Sequence, residues 1–233
     1  MFTHALCALL LATTCLSGVR AEDEAFEMTQ IAKLVAADGA AKDKFGQSVS
    51  VSGSTIVVGA IYDDDNDVNS GSAYVFEKSD DGEVTQVAKL VAADGAANDY
   101  FGHSVSVSGS TIVVGAYNDN DHGSGSGSAY VFEKSDDGAW AQAAKLVDAD
   151  GAASDVFGRY VSVSGSTIVV GAPYDDDKGS NSGSAYVFEK SDDGAWAQAA
   201  KLVAADAAWG DYFGVWVSVS GSTIVVGAVC PRR

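Results

Sequence analysis

Phe45-Gly46-Gln47-Ser48-Val49-Ser50-Val51-Ser52-Gly53-Ser54-Thr55-Ile56-Val57-Val58-Gly59-Ala60 is the stretch whose reading settles the fold. Ser48 to Ser52 alternates small polar and apolar residues with a period of two, as a half-buried strand does. Gly53-Ser54 is a two-residue turn, and Thr55 to Ala60 reads as a second, more buried strand. An Asp-rich loop, Asp63 to Asn69, follows, and Gly71 to Lys78 carries Tyr74, Val75 and Phe76 in a third strand. Ser79-Asp80-Asp81-Gly82 has turn chemistry, with Asp bonding locally and Gly free to take positive φ. A fourth strand runs from about Glu83 to Val91. One stretch, Gln86 to Ala97, is rich in Ala, Lys and Leu, but a helical solenoid needs at least two helices per unit.

The whole pattern recurs. Phe-Gly pairs stand at Phe45-Gly46, Phe101-Gly102, Phe157-Gly158 and Phe213-Gly214, a spacing of 56 residues. Cassettes 101–156 and 157–212 share 44 of 56 positions. Cassette 45–100 is also complete, 24–44 matches the end of a cassette, and 213–228 matches the beginning. Four short antiparallel strands repeated at constant length describe the blades of a β-propeller, because a single blade cannot bury both faces and neighbours must stack. The expected class is therefore all-β, a propeller of four-stranded antiparallel blades, about four in number. The leading piece supplies one fourth strand, the cassettes twelve strands and the trailing piece two. A ring closed by joining the ends would still lack a third strand. The chain is then a strained ring, an open arc or part of a larger gene product. An open arc exposes strand edges, one route to self-association.

Among 233 residues, 32 are acidic and 14 basic, a formal charge of −18. That balance argues against nucleic acid and anionic membrane surfaces, which need clustered Lys and Arg. With 47% hydrophobic residues, the chain is no disordered acidic tail. Ala5 to Leu16 is apolar, and Val19-Arg20-Ala21 ends in small residues, so residues 1–21 read as a secretory signal and 22–233 as one extracellular repeat domain. The apolar run is too short to span a bilayer. Cys7 and Cys15 leave with the signal. Cys230 then stands alone in a tail, Val229 to Arg233, that departs from the repeat as a truncated or altered end would; it offers a second route to self-association.

The repeat resembles the FG-GAP family, the repeat of integrin α-chain propellers. The resemblance rests on Phe101-Gly102, Ser104 to Ala116, Gly127-Ser128-Ala129-Tyr130-Val131-Phe132 and Trp140 to Leu146; Gly-Ala-Pro is complete at Gly171-Ala172-Pro173. It implies an integrin-like propeller with calcium in inter-strand loops and a ligand on one rim.

The expected Ca²⁺ ligands lie in the Asp loops. Asp63, Asp65, Asp67 and Asn69 have the 1-3-5-7 spacing of an oxygen-ligand loop. Asp119 and Asp121 follow suit in the second loop, and Asp175 and Asp177 in the third. The integrin-type loop adds an acid at position nine, where this chain has Gly71, Gly127 and Gly183. A solvated, turn-forming Asp run is the alternative. Asp43, Asp99, Asp155 and Asp211, two residues before each Phe-Gly, read as turn caps; Asp38, Asp94, Asp150 and Asp206 sit five residues earlier. The Phe-Gly phenylalanines and Tyr74, Tyr130 and Tyr186 read as inter-blade core. Trp140 and Trp196 read as core, with a sugar-stacking platform as the alternative. Trp209 and Trp216 have no counterparts in other cassettes.

No G-x-S-x-G, phosphate loop or H-E-x-x-H occurs, and His103 and His122 are not repeated. The expected function is a secreted, non-catalytic binding or adhesion module for an extracellular protein or glycan. A secreted hydrolase or lyase with a loop-bound metal, and a truncated structural array without separate function, are the alternatives.

Overall fold

A computed structural model describes residues 29–229. The described residues hold fourteen strands and no helix. The first blade is β1 (Phe45–Ser52), β2 (Thr55–Ala60), β3 (Ser72–Lys78) and β4 (Val84–Leu90). The second is β5 (Ser104–Ser108), β6 (Thr111–Ala116), β7 (Ser128–Lys134) and β8 (Trp140–Leu146). The third is β9 (Tyr160–Ser164), β10 (Thr167–Ala172), β11 (Ser184–Lys190) and β12 (Trp196–Leu202). β13 (Trp216–Ser220) and β14 (Thr223–Gly227) form a two-stranded fourth unit. Within each complete blade the strands pair in sequence order, all antiparallel. Gln86 to Ala97 is half strand and half turn, as the β reading expects.

The four-residue run Ile-Val-Val-Gly is buried on both faces in β2, β6 and β10, so these strands lie inside the stack. Each first strand packs on the first two strands of the blade before it: β5 on β1 and β2, β9 on β5 and β6, β13 on β9 and β10. Its valines supply the apolar contact. Val105 and Val107 join Val57, Ala73 and Val75 of the preceding blade in one cluster. Its N–H groups, and the serines of the first strand in the blade before it, supply the polar one. Ser50 Oγ accepts from the Val107 N–H at 3.1 Å and Ser52 Oγ from Gly109 at 3.1 Å; Ser106 and Ser108 repeat this toward Val163 and Gly165, and Ser162 and Ser164 toward Val219 and Gly221. The alternation of Val and Ser thus binds blade to blade.

Phe101 lies between the first two blades, edge-on to Tyr130 at 5.5 Å and Phe132 at 5.9 Å, and its backbone N–H donates to Ser70 O at 2.9 Å. Phe157 and Phe213 make the same backbone bond at the following junctions. Gly115 is required by this approach: a Cβ there would lie 1.8 Å from the Gly158 carbonyl oxygen. Gly59 and Gly171 meet Gly102 and Gly214 in the same way, at 2.0 and 2.1 Å.

The propeller is open. Val49 and Val51 of β1, the counterparts of buried Val105 and Val107, are exposed, and so is Val225 of β14. The leading piece departs from expectation. Residues 29–36 form no strand, although Leu34 is buried against Ile56, Val58 and Tyr74 just as Leu90 is one blade later. A fourth strand forms by pairing with a third, and no third strand lies beside 29–36 among the described residues. Residues 1–21 and Cys230 lie outside the described residues, and no described helix is long and apolar enough to cross a membrane.

Candidate functional site: the aspartate and aromatic rim

An antiparallel meander sends alternate connections to opposite ends. The short turns, such as Gly53-Ser54 and Ser79 to Gly82, share one rim. The loops after β2, β6 and β10 (61–71, 117–127, 173–183) and the inter-blade segments (91–103, 147–159, 203–215) share the other. Every aspartate of the Asp loops and of the two further Asp columns lies on this second rim.

There the structure brings Asp119 and Asp121 together with Asp94 from the preceding inter-blade segment, their ligand oxygens within 4.8 Å of one another. Lys145, on β8, reaches into the middle. Its Nζ lies 2.7 Å from Asp94, 3.1 Å from Asp119 and 2.6 Å from Asp121. The Tyr130 hydroxyl, on β7, lies 2.9 Å from both Asp94 Oδ1 and Asp119 Oδ2. The first blade repeats this with Lys89 among Asp38, Asp63 and Asp65 (2.7, 3.2 and 2.5 Å), and the third with Lys201 among Asp150, Asp175 and Asp177 (2.7, 2.9 and 2.5 Å). Burial works against the Lys145 charge, but hydrogen bonds to Asp121, Asp94 and Asp119 outweigh it and lift the ammonium above its ordinary pKa. Burial and the Asp119 charge raise the Tyr130 hydroxyl, so it stays protonated as a donor.

Asp67 and Asn69 do not join this convergence. Asp67 Oδ1 accepts from the Val68 N–H at 2.7 Å, and Asn69 Nδ2 donates to Asn98 Oδ1 at 2.9 Å. The four-ligand 1-3-5-7 loop is thus replaced by two loop aspartates, one distant aspartate and a lysine. Calcium takes six to eight oxygens. Each cluster offers three carboxylates around a bound ammonium, a donor set that does not fit the ion while the lysine stays.

The capping column behaves as expected. Asp99 Oδ2 accepts from the Ala96 N–H at 2.7 Å, Asp155 from Ala152 at 2.8 Å and Asp211 from Ala208 at 2.8 Å. The next residue turns the chain into the blade through left-handed backbone: Lys44, Tyr100, Val156 and Tyr212 have φ of 55°, 59°, 53° and 50°. Such conformations cost about 1–3 kcal/mol each for non-glycine residues, and here the strain recurs along one rim.

Those strained positions begin a belt absent from the sequence reading. Lys44 lies 4.2 Å over the Tyr62 ring, Tyr62 contacts Tyr100 at 5.7 Å, and Tyr100 stacks on Tyr117 at 5.5 Å. The line runs on through His103 (4.7 Å) and Tyr160 (6.0 Å) to Trp216 (4.2 Å). Arg159 bridges Tyr117 to Tyr174, which meets Tyr212 at 5.4 Å. His103 is half-buried and its pKa is lowered by that burial, so the ring is neutral; its Nδ1–H donates to Arg159 O at 3.0 Å. The signal was present in the sequence as difference rather than likeness. Cassettes that agree through Val-Ser-Gly-Ser-Thr-Ile-Val-Val-Gly-Ala disagree at Lys44/Tyr100/Val156/Tyr212, at Gln47/His103/Arg159/Val215, at Ser48/Ser104/Tyr160/Trp216 and at Tyr62/Asn118/Tyr174. Trp140 and Trp196, by contrast, are partly buried against the blade cores, with Trp196 Nε1 donating to Glu133 at 3.1 Å.

The FG-GAP repeat family matches the chain at residues 28–76, 84–132, 140–188 and 196–231. The chain belongs to the FG-GAP repeat family. Each of the second to fourth FG-GAP units begins on a fourth strand, at Val84, Trp140 or Trp196. The second and third end inside the third strand of the next blade, so an FG-GAP unit spans an interface, joining the fourth strand of one blade to the first three of the next. A search of curated proteins returned no match.

Cassette 101–156 carries an asymmetric pair. Asp148 is wholly buried where the other units have Ala36, Ala92 and Ala204, neither carboxylate oxygen has a hydrogen-bond partner, and His122 Nδ1 lies 3.6 Å away. His122 is exposed but Asp148 is closed to solvent, so its carboxyl bears on stability. Burial, followed by the charge of Asp155, pushes the Asp148 carboxyl up to about 6. A folded-state value above the unfolded one means that the native state binds the proton more tightly. The penalty is absent below about pH 4, grows as pH rises, and is complete above about pH 6, where two pKa units correspond to about 3 kcal/mol. Asp148→Ala should therefore stabilise the protein at pH 7, by about 1–3 kcal/mol. The gain over wild type should shrink toward pH 4 in parallel thermal melts; a pH-independent difference would contradict this account.

Proposed function

We propose that this FG-GAP protein is a secreted, non-catalytic binding module of the integrin-like propeller type, with the aromatic rim as its ligand surface and an extracellular protein or glycan as its ligand. The observation that carries the reading is that positions where near-identical cassettes differ converge on one continuous belt. Blades that must stack keep their residues, whereas a rim that must recognise something asymmetric diversifies while the blades hold it rigid. Tyr and Trp supply broad contact area at low entropic cost, and Lys44 and Arg159 place positive charge on a rim otherwise crowded with carboxylates. Calcium has a place in this reading only in exchange for a lysine of the Asp clusters.

The test is binding to glycan and cell-surface arrays with wild type, Trp216→Ala and Arg159→Ala. Trp216 is exposed, so its removal spares the fold. Loss of about tenfold or more in affinity on removing an aromatic anchor is expected. Binding indifferent to both substitutions would move the ligand surface elsewhere. Turnover in glycosidase, lyase or esterase screens would replace the reading with an enzymatic one.

A further inference from the structure

The two open ends of the blade array are the two halves of one contact. Inside the chain, three junctions are built alike: the Val and N–H groups of one first strand meet the Ser hydroxyls and apolar face of the two strands before it. At the leading end, β1 presents the first half uncovered. Val51 is 60% exposed, against 6% for its counterpart Val107. At the trailing end, β13 and β14 present the second half uncovered. Val225 is 62% exposed, whereas its counterparts Val57, Val113 and Val169 are at 0%, and Ser218 and Ser220 are exposed where Ser50 and Ser52 accept bonds. β13 and β14 are the first two strands of a blade, the pair that receives the incoming strand at every internal junction.

We propose that a second copy of this chain docks head to tail, its β1 face on the β13–β14 face of the first. The occupant is specified by continuity with the internal junctions, which this sequence makes with the same residue types. Stepping the internal register forward by one blade places the Val51 N–H of one copy on Ser218 Oγ of the other, and the Gly53 N–H on Ser220 Oγ. The leading copy also brings Leu34, already seated on its own first blade as Leu90 is on the second. The contact is heterologous, using different surfaces on the two partners, so it propagates into rings or filaments rather than stopping at a two-fold dimer. Both copies carry a formal charge of −18. Their mutual repulsion is screened by salt, so assembly strengthens with ionic strength. The proposal is independent of what the rim binds.

Sedimentation velocity of the protein in reducing buffer, which excludes linkage through Cys230, reads the outcome. Wild type should form concentration-dependent dimers and larger species. Val51→Asp and Val225→Asp should each raise the dissociation constant about a hundredfold or more, because each buries a carboxylate at an apolar contact. Both positions are exposed in the single chain, so unchanged thermal melts verify the fold. Mixed together, the two variants should form a one-to-one dimer and nothing larger, since each retains one intact half. A wild type that stays monomeric at high concentration and salt would overturn the proposal, including the case in which Val51 is protected by closure of the chain on itself. So would oligomers that persist in both variants, or variants that fail to complement each other.

Discussion

Lys145→Ala should lower stability by about 3 kcal/mol, with the transition still cooperative. The lysine is the counter-charge of Asp119, whose side chain is nearly inaccessible, whereas Asp94 and Asp121 are about half exposed and keep access to water. Removing one partner of a buried ion pair strands the other, at about 3–5 kcal/mol, and the two wetter carboxylates place the result at the lower end. Adding Asp119→Asn should recover much of the loss, because the stranded charge goes with it. The same variant exposes what the lysine does to metals. With Asp94, Asp119 and Asp121 released, Ca²⁺ should raise the melting temperature of Lys145→Ala saturably, by an amount equivalent to about 2.7 kcal/mol at a hundredfold excess over its Kd. Wild type should show no comparable rise, and Mg²⁺ serves as control. A saturable calcium response in wild type would mean that the ion displaces the lysine.

Gly115→Ala should be at least as damaging, at about 3 kcal/mol or more. Its Cβ would stand 1.8 Å from the carbonyl oxygen of Gly158, and both groups are main chain in packed strands or junctions. Overpacking usually costs about 1–3 kcal/mol when a side chain can swing aside; here two blades must part. Gly109→Ala is the matched control. Nothing lies within 4 Å of its Cβ, and only its φ of 57° opposes the substitution, a loss of about 1 kcal/mol. Equal melting temperatures for the two variants would refute the idea that glycine-on-glycine contact sets the blade spacing.

The strands were legible because their information is local. Thr55 to Ala60 has the bounds the sequence implied, since its apolar run stops at turn residues on both sides. The open ends were legible as a missing strand in the count. What escaped was contact between distant residues. Lys145 stands 51 residues from Asp94, and no spacing rule links a fourth-strand lysine to an aspartate one blade earlier. Asp67 and Asn69 stand outside the cluster for the converse reason: their spacing is right, but local backbone and Asn98 engage their side chains. Residues 29–36 failed as a strand because pairing is a property of two segments, and only one is there to be described. The aromatic belt needed the blades superposed before the odd positions of each cassette could be recognised as neighbours.

That an FG-GAP unit spans a junction rather than a blade has a genetic consequence. Unequal crossing-over between cassettes as alike as 101–156 and 157–212 can splice the coding sequence at almost any matched codon. Each recombinant still carries whole junctions, joined within blades whose strands match in kind. Array length can therefore drift by single units without a new kind of contact having to be invented, and selection on the rim can act on each copy separately. An allele lacking residues 101–156 would fuse Tyr100 to Phe157, a join already present in kind at Tyr212-Phe213.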